Sequence, residues 1–118
     1  MAADWLGYSL GLPGAWPDQP WEDDTVAKVG DKIFAFFGRV GEQGPTSVGV
    51  KCGDREAADL WLERYPAAAA RMPYLGAHGW NTISLDGTIP DDEVQDLIDL
   101  SYHLVVSRLP RSRRPPGA

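Results

Sequence analysis

The chain has 118 residues, of which 43% are hydrophobic and 24% charged, with 13 Gly and 10 Pro. This composition is typical of one turn-rich globular domain, and it excludes a wholly disordered chain, a collagen-like chain and a coiled-coil rod. The formal net charge is −6, and the acidic excess lies within residues 1–107. The main body therefore lacks the basic charge that is typical of DNA-binding domains.

Cysteine content and hydropathy bear on where in the cell the protein is expected. A single cysteine, Cys52, cannot form an internal disulfide. No apolar stretch approaches the ~18 residues that a membrane-spanning helix needs. Residues 1–10 contain Asp4 but no Lys or Arg, unlike a secretory signal. We therefore expect a cytoplasmic protein with no membrane partner.

The N-terminal region predicts a short helix and then a loop. Asp4 is a candidate N-cap for a helix over residues 5–10, in which Trp5 and Tyr8 lie one turn apart. Residues 13–24 contain three Pro and two Trp. Because tryptophans need a surface to pack against, these residues predict an ordered loop.

Three strands are predicted next. The second is apolar on both faces, with Phe34 and Phe36 predicted on one face and Ala35 and Phe37 on the other. Such a strand is expected to lie centrally in a sheet, or to meet a second copy of the chain through one face. A Gly30-Asp31 turn is predicted to close the first hairpin. The predicted spans are 25–30, 32–38 and 47–52.

The remaining residues predict two helices with a strand between them. Asp54 is a candidate N-cap for a helix that stops before Pro66, with Ala57, Leu60 and Trp61 on its buried face. Residues 67–70 predict at most a short helical run, and residues 80–86 predict a strand. The last helix opens at Pro90. Its predicted buried stripe consists of Val94, Leu97, Ile98, Ser101, Leu104 and Val105.

This order of elements predicts the fold class α+β, a two-layer sandwich with helices on one face of an antiparallel sheet. A single domain is expected over residues 4–110. Residues 111–118 form a basic tail rich in Pro and Arg. The tail is predicted to be flexible and solvated, and the alternative is an arm that contacts phosphates through residues such as Arg113 and Arg114.

Several segments resemble the MmcQ/YjbR family, and together they cover residues 4–110. Residues 28–35, Lys-Val-Gly-Asp-Lys-Ile-Phe-Ala, are similar to the first hairpin of that family. Residues 79–87, Gly-Trp-Asn-Thr-Ile-Ser-Leu-Asp-Gly, followed by Pro90-Asp91-Asp92-Glu93, are similar to its closing strand and helix. The resemblance implies a YjbR-like fold of the secretion-chaperone-like class: helix, three strands, helix, two strands, helix.

The resemblance also implies functions. Family members are commonly described as DNA-binding proteins with a "double wing", in which hairpin loops contact the duplex. One branch is named after a mitomycin-resistance setting, which implies drug binding as an alternative. Many members carry a His-Met-Asn-Lys-Lys-His-Trp string where this chain has Tyr-Leu-Gly-Ala-His-Gly-Trp at residues 74–80. The loss of both lysines weakens the expectation of phosphate contacts.

Two sets of residues are candidates for binding. A basic patch suits a nucleic-acid backbone, although strand lysines also serve to shield sheet edges. An aromatic groove suits a base or a small flat ligand, although packing of Trp80 beneath the last helix is the simpler interpretation of that residue. The predicted partners are thus duplex DNA or a small aromatic ligand, bound by a monomer or a homodimer. The basic set is Lys28, Lys32, Arg39, Lys51, Arg108 and Arg111, and the aromatic set is Trp16, Trp21, His78 and Trp80.

No group of residues predicts catalysis, so we expect a non-enzymatic protein without cofactor or metal. The two histidines are far apart in sequence, and no glycine-rich nucleotide-binding loop is present. Cys52 alternates with valines, which predicts a buried thiol. Asp92, Asp96 and Asp99 share a face of the last helix, and a solvated acidic face is the simpler interpretation than a cation site.

Overall fold

The protein is seen in a computed structural model that describes residues 4–21 and 23–118. One antiparallel sheet with the strand order β1-β2-β3-β4-β6-β5 carries the helices on one face. The predicted α+β two-layer fold is confirmed. The helices are α1 (Trp5–Leu10), α2 (Arg55–Arg64) and α3 (Asp91–Val106), and the strands are β1 (Ala15–Trp21), β2 (Asp24–Val29), β3 (Lys32–Gly38), β4 (Ser47–Lys51), β5 (Ala69–Arg71) and β6 (Trp80–Ser84).

An edge strand, β1, lies where the sequence predicted a loop. It pairs antiparallel with β2 from Ala15 to Asp18, and the register shifts before Trp21. The strand was not predicted because it contains Pro17 and Pro20. Proline lacks the N–H that hydrogen bonds between strands require, and it is tolerated mainly at a sheet edge. Four strands therefore precede α2, where three were predicted. Glu22, part of the predicted loop, lies outside the described residues.

A β-bulge changes which side chains of β3 share a face. Ala27 pairs with Ala35 but Lys28 pairs with Ile33, so β3 has one extra residue at this point. Phe34 packs edge-on against Tyr102 of α3, with ring centroids 5.2 Å apart. The prediction that it shares a face with Phe36 is wrong, because Phe36 lies on the opposite face against Trp80. β3 is central, as predicted, but only its helix-facing side is fully buried, since Ile33 and Phe36 are half-buried.

Two predictions for the middle of the chain are also wrong. Leu60 of α2 is 63% exposed. The fully buried residue of this helix is Ala58, two residues earlier. Residues 69–71 do not form a helical run, because they pair with β6 as strand β5. The predicted caps Asp4 and Asp54 are confirmed, since their carboxylates accept the backbone N–H groups of Gly7 and Ala57.

Helix α3 follows the prediction closely. It begins after Pro90 and buries the predicted stripe, except that Leu104 is only half-buried. Beyond it, residues 111–113 form a 3₁₀ turn, and the guanidinium of Arg114 donates to the carbonyls of Ser107 and Leu109. The flexibility of residues 111–118 stays a prediction. Among the described residues, no helix is both long enough and apolar enough to cross a membrane.

Candidate ligand-binding pocket

The pairing of β3 with β4 is interrupted by a hydroxyl group from α3. The two strands pair in regular register at Phe36 and Gly49. Two residues further along each strand, the Lys51 N–H donates to Ser101 Oγ at 2.9 Å, and that hydroxyl donates to the Phe34 carbonyl at 2.7 Å. Ser101 is fully buried. Its hydroxyl stands where a direct strand-to-strand bond is expected, so the strands separate there.

A pocket of about 440 Å³ opens at this end of the sheet. Its apolar walls come from the helix-free face of β3 and β6 and from the C-terminal end of α3. Ligand sites in proteins commonly have such volumes and mostly apolar linings. Two smaller pockets, of about 220 and 200 Å³, have no Lys or Arg in their linings. The apolar lining of the larger pocket is formed by Ile33, Phe36, Leu75, Trp80, Leu104 and Val105.

Three cationic side chains lie around the same pocket, namely Lys32, Lys51 and Arg108. The Lys51 Nζ donates to the carbonyl of His78 at 2.6 Å. Burial and the nearby charge of Arg108 lower the pKa of Lys51, and Asp54 partly offsets this effect. Asp31 is the acidic residue among the described residues of the lining. The pocket therefore combines an apolar wall with a local excess of positive charge.

The wall formed by residues 73–79 is anchored through Arg55 of α2. Its guanidinium donates to the Gly76 carbonyl at 2.6 Å, to Asn81 Oδ1 at 2.8 Å and to Asp59 Oδ1 at 2.8 Å. The Asn81 amide in turn donates to the Ala58 carbonyl at 2.9 Å. Because all these groups are paired, the segment that carries Leu75 and His78 is held in a defined position.

The predicted basic patch does not form as one surface. Lys28 is in an ion pair with Asp18 at 3.2 Å, and its ammonium lies 4.7 Å above the ring centroid of Trp16. Arg39 is exposed at the far end of β3, about 23 Å along the extended chain from Lys32. Arg111 is exposed on the 3₁₀ turn after α3. The pocket brings together only Lys32, Lys51 and Arg108.

The predicted aromatic groove is also divided. His78 and Trp80 line the pocket, whereas Trp16 and Trp21 do not. The Trp16 indole donates to the Gly30 carbonyl at 2.9 Å. Trp21 stacks on Phe36 with ring centroids 6.4 Å apart and is 54% exposed. Sequence reasoning thus joined residues from separate sites and missed Phe36, whose position depends on the bulge.

The remaining candidates are part of the structural framework. Cys52 is buried, as predicted, and burial raises its thiol pKa to about 11. Asp99 accepts a hydrogen bond from the Tyr8 hydroxyl at 2.5 Å, while Asp92 and Asp96 are exposed. Within residues 4–21 and 23–118, no three His, Cys, Asp or Glu side chains are grouped so as to hold a metal ion.

Comparison with known proteins shows the family. A family model described as YjbR matches residues 10–104. The protein named "Uncharacterized protein YjbR" in Escherichia coli K12 is 34% identical over 112 residues, which covers 92% of this chain and 90% of that protein. The chain belongs to the YjbR family. The protein of the same name in Escherichia coli O157:H7 matches to the same extent, and the resemblance predicted from the residues is confirmed.

Solved structures carry the same fold as this YjbR family member. The crystal structure of a Deinococcus radiodurans protein with a DUF419 domain has a TM-score of 0.82 and 25% identity, covering 94% of this chain and 83% of its own. A protein from Pseudomonas syringae has a TM-score of 0.67 and 21% identity, covering 85% of this chain and 94% of its own. Both likenesses cover more than four fifths of this chain.

Residues 74–80 of this family member, which differ from the string expected of the family, lie beside the pocket. Residues 76–78 form a 3₁₀ turn, and Gly79 adopts a left-handed conformation with φ of 87°. Tyr74 also has a positive φ, of 65°, and its side chain is fully exposed. A positive φ is strained for a tyrosine. Leu75 and His78 of this segment line the pocket, so the segment forms part of its rim.

Proposed function

We propose that this chain is a small-molecule-binding module and that its site is the pocket at the separated ends of β3 and β4. The ligand has a flat apolar body, which packs against Phe36 and Trp80. The protein contributes binding and exclusion of water, and no catalytic step is assigned to it. This proposal follows the drug-binding alternative implied by the family resemblance rather than DNA binding.

The observation that carries the proposal is an apolar pocket of about 440 Å³ with polar groups converging on one side. Small-molecule sites are concave and mostly apolar, with a few polar groups that orient the ligand. Trp80 and Phe36 meet edge to face, with ring centroids 5.4 Å apart. This arrangement fixes both rings before a ligand arrives, so little side-chain freedom is lost on binding.

Duplex DNA is the less favoured ligand for physical reasons. Phosphate contacts over a duplex require a broad basic surface, since each contact releases counterions and adds to affinity. Here Lys28 is already paired with Asp18, and Arg39 lies far from the pocket cations along β3. Asp31 lies in the pocket lining, and Asp54 is close enough to Lys51 to affect its pKa. The formal net charge of −6 opposes a polyanion further.

The test uses a neutral aromatic dye, phenylnaphthylamine, whose fluorescence rises in apolar sites. The variant Leu104→Trp fills the pocket with an indole, because Leu104 is half-buried in its wall. Its matched control is Leu100→Trp, the same change one helical turn earlier at a position 40% exposed and outside the pocket lining. We expect about a tenfold or larger loss of dye affinity in Leu104→Trp and a change below about twofold in the control.

Equal dye affinities in both variants, or no dye binding by the unaltered protein, would reject the pocket as a ligand site. A parallel titration of a labelled duplex at ~50 and ~200 mM salt measures DNA binding directly. Micromolar duplex binding that falls steeply with salt and weakens in Lys51→Glu would favour the DNA-binding description instead.

A further inference from the structure

We propose that the ligand of this pocket is an anion, with its charged group between Lys51 and Arg108 and its flat body against Phe36 and Trp80. The inference rests on the proposed function and adds the chemical class of the ligand. That class comprises small aromatic carboxylates, sulfonates and phosphates, which share an anionic group of two or three oxygens on an apolar body.

The first observation is how the cations of the chain are paired. In the described part of the chain, the ion pairs engage Lys28, Arg55, Arg64 and Arg71. The three cations around the pocket belong to none of these pairs. Four arginines outside the pocket lining also belong to none, namely Arg39, Arg111, Arg113 and Arg114, so it is the grouping of Lys32, Lys51 and Arg108 in one concave site that sets them apart. In a protein with an excess of acidic residues, pairing partners are plentiful. Cations gathered in a concave site without such partners fit a site whose counter-charge is supplied by a ligand.

The second observation is the mutual repulsion of two of these cations. Arg108 is near enough to Lys51 for its charge to lower the Lys51 pKa, and partial burial acts in the same direction. An anion between them replaces this repulsion with two attractions, which are stronger at a partly buried site than in bulk water. An anion at this position is therefore expected to relieve the repulsion between Lys51 and Arg108.

The third observation is that hydrogen-bond donors are available where the anion is placed. An ammonium has three donors, and Lys51 uses one of them on the His78 carbonyl. The backbone of Lys51 is fixed by its N–H bond to Ser101 Oγ. Arg108 contributes a guanidinium that matches the geometry of carboxylate or phosphate oxygens. A charged group bound here lies at one end of the pocket, with the aromatic wall beyond it.

The experiment compares two dyes that differ in one group. Anilinonaphthalene sulfonate carries a sulfonate on the same ring system as neutral phenylnaphthylamine. We expect the unaltered protein to bind the sulfonate about tenfold more tightly than the neutral dye, since a charge-assisted hydrogen bond commonly contributes this much. The preference should decrease with added salt, because the pocket is open to solvent on one side.

Variants matched in net charge test whether the preference for the sulfonate depends on Lys51 and Arg108. Lys51→Met and Arg108→Gln each remove one pocket charge, whereas Lys28→Met and Arg111→Gln remove one charge elsewhere. All four variants therefore have the same net charge. We expect the first two to lower the ratio of sulfonate affinity to neutral-dye affinity about tenfold. The controls should leave both affinities within about twofold. Arg108 is exposed, so its variant is not expected to affect folding.

The outcomes separate this inference from the proposed function. If the neutral dye binds in the pocket but the sulfonate has no advantage, the anionic class is wrong and the binding function stands. If Arg111→Gln and Lys28→Met reduce sulfonate binding as much as the pocket variants, a general charge effect replaces the specific site. If Leu104→Trp lowers the affinity for neither dye, both proposals fail. A sulfonate preference lost only in the pocket variants supports the inference.

Discussion

The hydroxyl of Ser101 is the feature that separates β3 from β4, and its removal gives the sharpest prediction about stability. In Ser101→Ala the Lys51 N–H loses its acceptor and the Phe34 carbonyl loses its donor. Ser101 itself is fully buried, so water does not readily replace the lost bonds. An unsatisfied buried backbone group costs about 1–3 kcal/mol. We therefore expect a loss of about 2–4 kcal/mol in the free energy of unfolding.

The matched control is Ser9→Ala. Ser9 is equally buried, but its hydroxyl donates only to the Trp5 carbonyl four residues earlier in the same helix. Such a bond adds little to helix stability, because the carbonyl can be satisfied within the helix. We expect Ser9→Ala to change the free energy of unfolding by less than about 0.5 kcal/mol.

Urea unfolding followed by tryptophan fluorescence measures both variants. With a slope of about 2 kcal/mol per molar urea, the midpoint of Ser101→Ala should fall by about 1–2 M. Amide hydrogen exchange should also become faster at Lys51 relative to the other amides of β4. Equal midpoints for Ser101→Ala and Ser9→Ala would show that the strands close up and pair directly. The dye affinity should then fall, because closure narrows the pocket.

Two further predictions concern the framework around the site. Gly79→Ala places a Cβ 1.9 Å from the Gly53 carbonyl at a φ of 87°, so thermal unfolding should show a loss of several kcal/mol. Gly87→Ala has a similar φ and nothing within 4 Å, so it should cost only about 1–2 kcal/mol, and equal losses would contradict the clash. Burial raises the Cys52 pKa from 9.0 to about 11, so the stability due to the neutral thiol is complete below pH 9 and is lost as pH rises to about 11. Urea unfolding at about pH 8.5 and about pH 10.5 measures how far the free energy of unfolding falls between the two pH values. We expect this decrease to be about 2 kcal/mol smaller in Cys52→Ala than in the unaltered protein. Equal decreases would contradict the raised pKa.

The sequence predicted most of the fold because its local signals are strong. Periodicity and Pro90 predicted α3, and Asp4 and Asp54 predicted the starts of α1 and α2. The edge strand β1 was missed because two prolines mask its pattern. The bulge in β3 was missed because an extra residue depends on the pairing of two strands, which a single strand pattern does not contain.

The candidate site was predicted only in part for the same reason. Lys51, Trp80 and Arg108 were all singled out, but they were assigned to a basic patch and an aromatic groove as separate sets. Their meeting depends on the register of β4 with β6, which places Lys51 beside Trp80, and on where α3 ends. Ser101 looked like one more member of a buried stripe, since nothing in the sequence shows that its hydroxyl joins two strands.

The distribution of charge gives the strongest reason to separate this site from a DNA-binding surface. A duplex presents phosphates over its whole length, so it favours proteins whose cations are spread over a broad surface. Here three cations, Lys32, Lys51 and Arg108, lie around one pocket, and residues 1–107 carry an acidic excess. We expect the acidic body to oppose a polyanion more than a single anion bound beside Lys51 and Arg108, because a polyanion also extends over the acidic surface outside the pocket. We therefore expect the net charge to disfavour duplex DNA more strongly than a small anion.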